Sequence, residues 1–172
     1  FLPGIFGKDL RRIEMRKSYR NTVEIASYAA NLIGVTDLEL FERHGMPVLE
    51  RDEADLACAL REAADALFPS EKTYETAAVI VPDEKMAERA YLLLREILGS
   101  KGFDCEKRLS WLNRDSSSFQ KGLTVTTFYL AKGLEFDQVF SIFQKDEKRE
   151  MMMQARYIAA TRALHELWVY SI

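Results

Sequence analysis

The chain has 172 residues, 48% of them apolar and 30% charged, enough to bury one sizeable core and too apolar for a disordered or fibrous segment. A formal charge of -3 excludes a chain-wide positive field, so any contact with nucleic acid or an anionic membrane surface must be local. There is no secretory h-region and no apolar run long enough to span a bilayer.

Cys58 and Cys105 stand far apart without zinc or redox spacing, and His44 and His165 add no ligand cluster, so no metal site is expected. The thiols read as buried or idle, which agrees with a reducing cytoplasm. A chain that begins at Phe1 is expected to be a piece of a longer polypeptide.

In chain order, Ile13 to Lys17 predicts a short strand and Asn21 to Ile33 a helix, with Val23, Ala26, Ala30 and Ile33 at helical spacing. Asn21 followed by Glu24 has the form of a capping box. A polar stretch leads to a second helix over about Glu53 to Leu67, stopped near Pro69. Ala77 to Val81 is a strand rich in β-branched residues, and Asp83 caps a helix running to about Leu98. Gly99 to Gly102 is a turn, Phe103 to Glu106 a weak strand, and Arg114 to Lys121 a surface loop. Strands follow at Leu123 to Thr127 and Gln138 to Phe143, then a helix from Lys148 to Leu164 and a last strand from Leu167 to Tyr170. Strands alternating with helices imply βαβ units and a mostly parallel α/β sheet.

Three clusters carry chemistry, and in such a sheet they are expected at the carboxyl ends of strands. The first is Tyr19 with Arg20: the ring can stack on a base while the guanidinium forks onto phosphate oxygens. Such pairs are also common on plain surfaces. The second spans Leu123 to Phe140, where an irregular loop carries Lys132 and Gly133 ahead of Glu135. Gly133 permits a sharp turn, and Glu135 can accept hydrogen bonds from ribose hydroxyls; an ordinary surface loop is the alternative. The third is RYIAATRA at 156–163. Met151, Ala155, Ile158 and Arg162 share a helical face, so a face bound for the core ends in a guanidinium. A charge there needs a partner, either an incoming phosphate or an internal carboxylate.

In this order and at these separations the clusters resemble the C-terminal half of UvrD/Rep-type superfamily 1A helicases. SYRNTVEI resembles motif IV, TTFYLAKGLEFDQVF motif V and YIAATRA motif VI; residues from about Leu40 to Gln120 fit only in pattern. The resemblance implies one RecA-like, three-layer domain over residues 1–172, the second motor domain of an ATP-dependent DNA helicase or translocase. It further implies that Arg20 and Arg162 reach the γ-phosphate as catalytic arginines, that Tyr19 stacks on adenine, and that Glu135 holds the ribose with Lys132 and Gly133 in support. Thr127 and Tyr129 become nucleic-acid contacts, although the family usually has His where this chain has Tyr129. The helical insertion many relatives carry between motifs IV and V is missing from Arg108 to Leu123. That leans toward compact members, among them RNA-polymerase-associated remodelling factors, with RNA polymerase as a further partner.

No phosphate-gripping P-loop is present. The glycines of Gly4 to Asp9 are too close together, and Asp9 stands where Ser or Thr is required. ATP and Mg2+ are therefore expected to be held mainly by an N-terminal RecA-like domain, with single-stranded or duplex DNA as the track. The contrasting reading is a stand-alone module that binds nucleic acid or protein, tracking a phosphate backbone with Lys101, Lys107, Arg108, Arg114 and Lys121.

Overall fold

Residues 77–81 read Ala-Ala-Val-Ile-Val and are buried along their whole length, as a central strand of a parallel sheet covered on both faces must be. In the computed structural model, which describes residues 21–35, 43–114 and 121–172, that segment is β2 (Thr76–Val81) of a six-stranded sheet. The others are β1 (Leu49–Asp52), β3 (Leu109–Trp111), β4 (Gly122–Thr127), β5 (Phe136–Phe143) and β6 (Ala163–Ser171). They lie in the order β1-β6-β5-β2-β4-β3 with every pairing parallel.

Among the described residues four long helices cover the sheet: α1 (Val23–Leu32), α2 (Leu56–Ala66), α3 (Glu84–Ser100) and α5 (Glu150–Thr161), with a single turn, α4 (Cys105–Arg108), before β3. Alternation along the strands divides the core in two. Val79, Val81, Phe140 and Ile142 face α2 and α3, where Leu60, Leu94 and Leu98 meet them. Ala78, Ile80 and Val139 face the other way, toward Ile25 and Ala29 of α1 and Ala155 and Ala159 of α5. The result is the expected three-layer α/β architecture. Each fully buried Leu or Ile in these layers contributes about 1.5–3 kcal/mol.

Helix ends follow the local chemistry with one correction. Asp55 and Asp83 cap α2 and α3 through the amides of Cys58 and Met86. The cap of α1 is Thr22, whose hydroxyl accepts from the Ile25 amide at 3.3 Å, and not the predicted Asn21 and Glu24 box. Glu24 instead accepts from the Gly45 amide and pairs with His44, both at 2.9 Å. Those two contacts, His44 first, pull its carboxyl down to about 2.

The predicted weak strand at Phe103 to Glu106 is replaced by α4, and β3 forms just after it. β1 escaped prediction because its side chains are mostly exposed and carry no apolar alternation; pairing with β6 holds it. β6 begins four residues earlier than expected, directly after α5. Its polar start hides it: Glu166, 2% exposed, accepts hydrogen bonds from Gln138, Trp168 and Tyr74. A buried carboxylate is tolerated when donors surround it this way.

The predicted strand at Ile13 to Lys17, the Gly4 to Asp9 segment and residues 115–120 of the predicted loop lie outside the described residues. Cys58 and Cys105 are free and half-buried. No metal-ligand cluster occurs among the described residues, and none of their helices is long and apolar enough to cross a membrane.

Candidate nucleotide and nucleic-acid site

The strand registers divide the predicted clusters between two edges of the sheet. Thr127 ends β4 level with Val81, whereas Phe136 starts β5 beside Ala163 at the start of β6. Thr127 and Tyr129 therefore sit at the carboxyl edge, as expected, but Glu135 and Arg162 sit at the amino edge. The expectation of one carboxyl-end site is corrected. Loop 128–135 crosses one face of the sheet between the edges, a span of about 20 Å for six residues of strand rise.

That loop is tied down throughout. The Thr127 hydroxyl accepts from the Leu130 amide at 3.3 Å, and the Thr127 carbonyl accepts from the Ala131 amide at 3.0 Å. Ala131 is fully buried against the α1 and α5 side. Leu134 donates back to the Ala131 carbonyl at 3.0 Å. Gly133 takes φ +83 with open space where a Cβ would stand, so backbone conformation alone calls for glycine there.

Thr127 is only 4% exposed and shapes the loop rather than facing solvent. Tyr129 is 66% exposed, and the Lys132 amine lies over its ring, 4.9 Å from the centroid. Lys132 is thus in contact with Tyr129.

At the amino edge, Arg162 is the C-terminal cap of α5. Its Nε donates to Ile158 O at 3.2 Å, Nη1 to Leu134 O at 3.3 Å and Nη2 to Thr161 Oγ1 at 3.2 Å. All three acceptors are uncharged. Of the two partners considered for this cation, the internal carboxylate is not found in ion-pair contact among the described residues. Burial lowers its pKa, while the fields of Glu135 and Tyr157 act in the opposite direction; a guanidinium titrates so high that it stays charged at neutral pH. The stripe assigned to its helix face is corrected: Met151 is 61% exposed, Ile158 and Arg162 are half-buried, and Ala155, Ala159 and Ala160 form the buried face.

The Arg162 carbonyl accepts from the Phe136 amide at 2.8 Å, which locks the residue after Glu135 to the arginine. Tyr19 and Arg20 lie outside the described residues, but their chain neighbour Asn21 is anchored here. Its Nδ2 donates to the carbonyls of Thr161, at 3.1 Å, and Ala163. Sequence spacing had assigned Asn21 to a helix cap. Arg43 is a second missed residue, with no local signal: it donates to Leu164 O at 2.8 Å and contacts His165 Nδ1 at 3.1 Å.

His165 stacks on Tyr74 with ring centroids 5.7 Å apart and faces Asp137 at 3.6 Å. Burial, then Arg43, lowers its pKa below 6.5, with Asp137 opposing. A base whose folded pKa is lowered binds fewer protons folded than unfolded, so stability rises with pH across that window. The thermal midpoint should therefore drop as pH falls below about 6.5, the ordinary histidine value. His165→Gln should flatten that dependence in melts between about pH 7.5 and 5.5.

The cations proposed as a backbone track are largely engaged. Lys101 pairs with Asp65, Lys121 with Glu75 and Arg114 with Glu84, while Arg108 lies over the rings of Phe68 and Phe103. Such pairs cancel much of the field that a phosphate chain would meet.

No similar protein was found among curated sequences. The structure resembles that of the C-terminal domain of a possible DNA helicase from Lactobacillus plantarum WCFS1, with a TM-score of 0.67 and 21% identity, covering 90% of this chain and 87% of that one. At that identity the likeness speaks for the fold. Over residues 122–170, the segment that carries both the crossing loop and Arg162, the chain matches the UvrD-like helicase C-terminal domain family.

Proposed function

We propose that this domain is the second motor domain of an ATP-dependent DNA helicase or translocase, completing an ATP site whose other half lies on an N-terminal RecA-like domain. The observation that carries the proposal is Arg162: a half-buried guanidinium held by three neutral oxygens, with no carboxylate of the described residues in ion-pair contact with it. A guanidinium's planar fork suits the oxygens of an incoming γ-phosphate.

In this reading Arg162 and Arg20 stabilise charge on the transferred phosphoryl group, Glu135 accepts from ribose hydroxyls, and Tyr19 stacks on the adenine. Gly133 shapes the loop that brings Glu135 to the edge. ATP and Mg2+ are held mainly by the partner domain, since magnesium and phosphate ligation call for a P-loop that residues 1–172 lack. Steady-state ATP hydrolysis by the native full-length polypeptide, with and without Arg162→Ala, tests the assignment. Wild-type turnover by the variant would sink it.

The carboxyl edge takes the nucleic acid. Tyr129 offers a π face and Lys132 a phosphate contact, with Thr127 holding the loop beneath them. Single-stranded DNA is the ligand this pair suits best, because unpaired bases are free to stack. Tyr129→Ala should weaken binding of a labelled oligothymidylate about 5- to 100-fold, the 1–3 kcal/mol of one stacked base, whereas Tyr129→Phe should bind within about twofold of wild type if stacking, not the hydroxyl, carries the contact. Fluorescence anisotropy of the native polypeptide reads both. Neither the family match nor the structural match names an RNA polymerase.

A further inference from the structure

We infer that Asn21 and Arg43 are positioning residues for Arg162, pinning the backbone that carries it from both sides. The inference rests on the nucleotide reading of Arg162 but on different atoms. Each carbonyl from 161 to 164 is engaged from outside its own segment. Thr161 O and Ala163 O accept from the single Asn21 amide, Arg162 O from the Phe136 amide, and Leu164 O from Arg43. Two of these donors come from side chains more than 120 residues away in sequence, as the Asn21 contact spans 140 and the Arg43 contact 121.

Asn21 is 4% exposed, so its two donors work away from competing water, where a hydrogen bond holds its geometry more firmly. It straddles the arginine, holding the carbonyl before it and the carbonyl after it. Thr161 O belongs to the last turn of α5, where helix carbonyls lack intrahelical partners; the bond therefore satisfies an orphan acceptor and fixes the turn from which the guanidinium leaves.

Arg43 is itself held. Its carbonyl accepts from the Val23 amide at 2.9 Å, and Glu24 grips Gly45 and His44. Gly45 must be small there, since a Cβ would lie 2.6 Å from the Thr22 methyl. The start of α1 and residues 43–45 thus form one block docked on residues 161–165. A rigid support of this kind matters because a misplacement of about 1 Å in a group acting on a transition state can cost about 100-fold in rate.

Asn21 is also the covalent neighbour of Arg20.

The test has two arms. In the 172-residue chain, nitrogen relaxation of the Arg162 Nε–Hε group should report an order parameter near 0.85 in the wild type, falling below about 0.6 in Asn21→Ala. Asn21→Ser, which keeps one donor, should fall between, and it decides the same way should the alanine variant not fold. An Arg162 side chain as ordered in both variants as in the wild type overturns the inference. In the native polypeptide, Asn21→Ala should lower kcat for ATP about 10- to 100-fold with KM within about twofold, the signature of an interaction made in the transition state. It should cost nothing further once Arg162 is alanine, whereas a merely structural role would still cost activity there. Unchanged kcat in Asn21→Ala beside a crippled Arg162→Ala overturns the positioning role. If Arg162→Ala itself turns over normally, the nucleotide reading fails, and the relaxation arm still decides whether Asn21 orders the arginine.

Discussion

Replacing Arg162 with alanine is expected to reduce ATP hydrolysis by the native polypeptide about 1,000-fold or more while leaving the domain folded. The size follows from the role: arginines that meet charge developing on a transferred phosphoryl group contribute about 10³–10⁵ in rate. The fold should tolerate the change because the atoms that organise this corner are backbone atoms. The Arg162 carbonyl still accepts from Phe136, and its amide still donates to Ala159 O. What is lost is three side-chain bonds to Ile158, Leu134 and Thr161, which water can reach once the guanidinium is gone.

Arg162→Lys should fare little better, because an ammonium lacks the planar fork and cannot reproduce several of these directions at once. Steady-state hydrolysis together with a thermal melt separates the outcomes. A variant that melts like wild type and hydrolyses ATP at the wild-type rate removes Arg162 from the reaction. The 172-residue chain alone is expected to show no measurable hydrolysis, as its sequence holds no loop to grip the phosphates.

The largest stability effect is expected at Gly122, the first residue of β4. Its φ is +112, and a Cβ there would lie 2.3 Å from Arg108 O, 2.9 Å from its carbonyl carbon and 3.0 Å from its Cα. All three neighbours are backbone, so no side chain can swing aside. Gly122→Ala combines a strained backbone with a forced shift of α4 against β4, each about 1–3 kcal/mol. A loss of about 3 kcal/mol or more should lower the thermal midpoint by about 6–12 °C.

Gly99→Ala is the control: it lies inside α3 with nothing within 4 Å of the new methyl. There alanine should stabilise by about 0.5–1 kcal/mol through helix propensity. Equal melts for Gly122→Ala and wild type would contradict the packing at the start of β4. Since β4 delivers the crossing loop, Gly122→Ala should also weaken oligonucleotide binding at Tyr129.

Much of this architecture is legible in the chain itself. The apolar run at residues 77–81, the helical spacing in α1 and the aspartate at 83 act over one or two turns, so periodicity and capping predict them; the Asp55 cap, which starts α2 at Leu56 rather than near Glu53, is not anticipated by them. The motif-like segments are equally local, and the family match over residues 122–170 falls where two of them lie. What local pattern could not show depends on partners remote in sequence. β1 reads as polar loop because its stability comes from backbone pairing with β6. The start of β6 reads as non-strand because Glu166 is paid for by Gln138, Trp168 and Tyr74.

The same division runs through the candidate site. Arg162 and Glu135 stand out by residue type and position along the chain, and Tyr129 through the family resemblance. Their distribution over two edges was decided by the parallel register of β4, β2, β5 and β6, a property of strand pairing that no local window contains. Asn21 changes meaning for the same reason. By sequence it caps the helix three residues from Glu24; in the folded chain its amide lies on carbonyls 140 and 142 residues away, because a buried donor must find an acceptor and the nearest ones belong to another element.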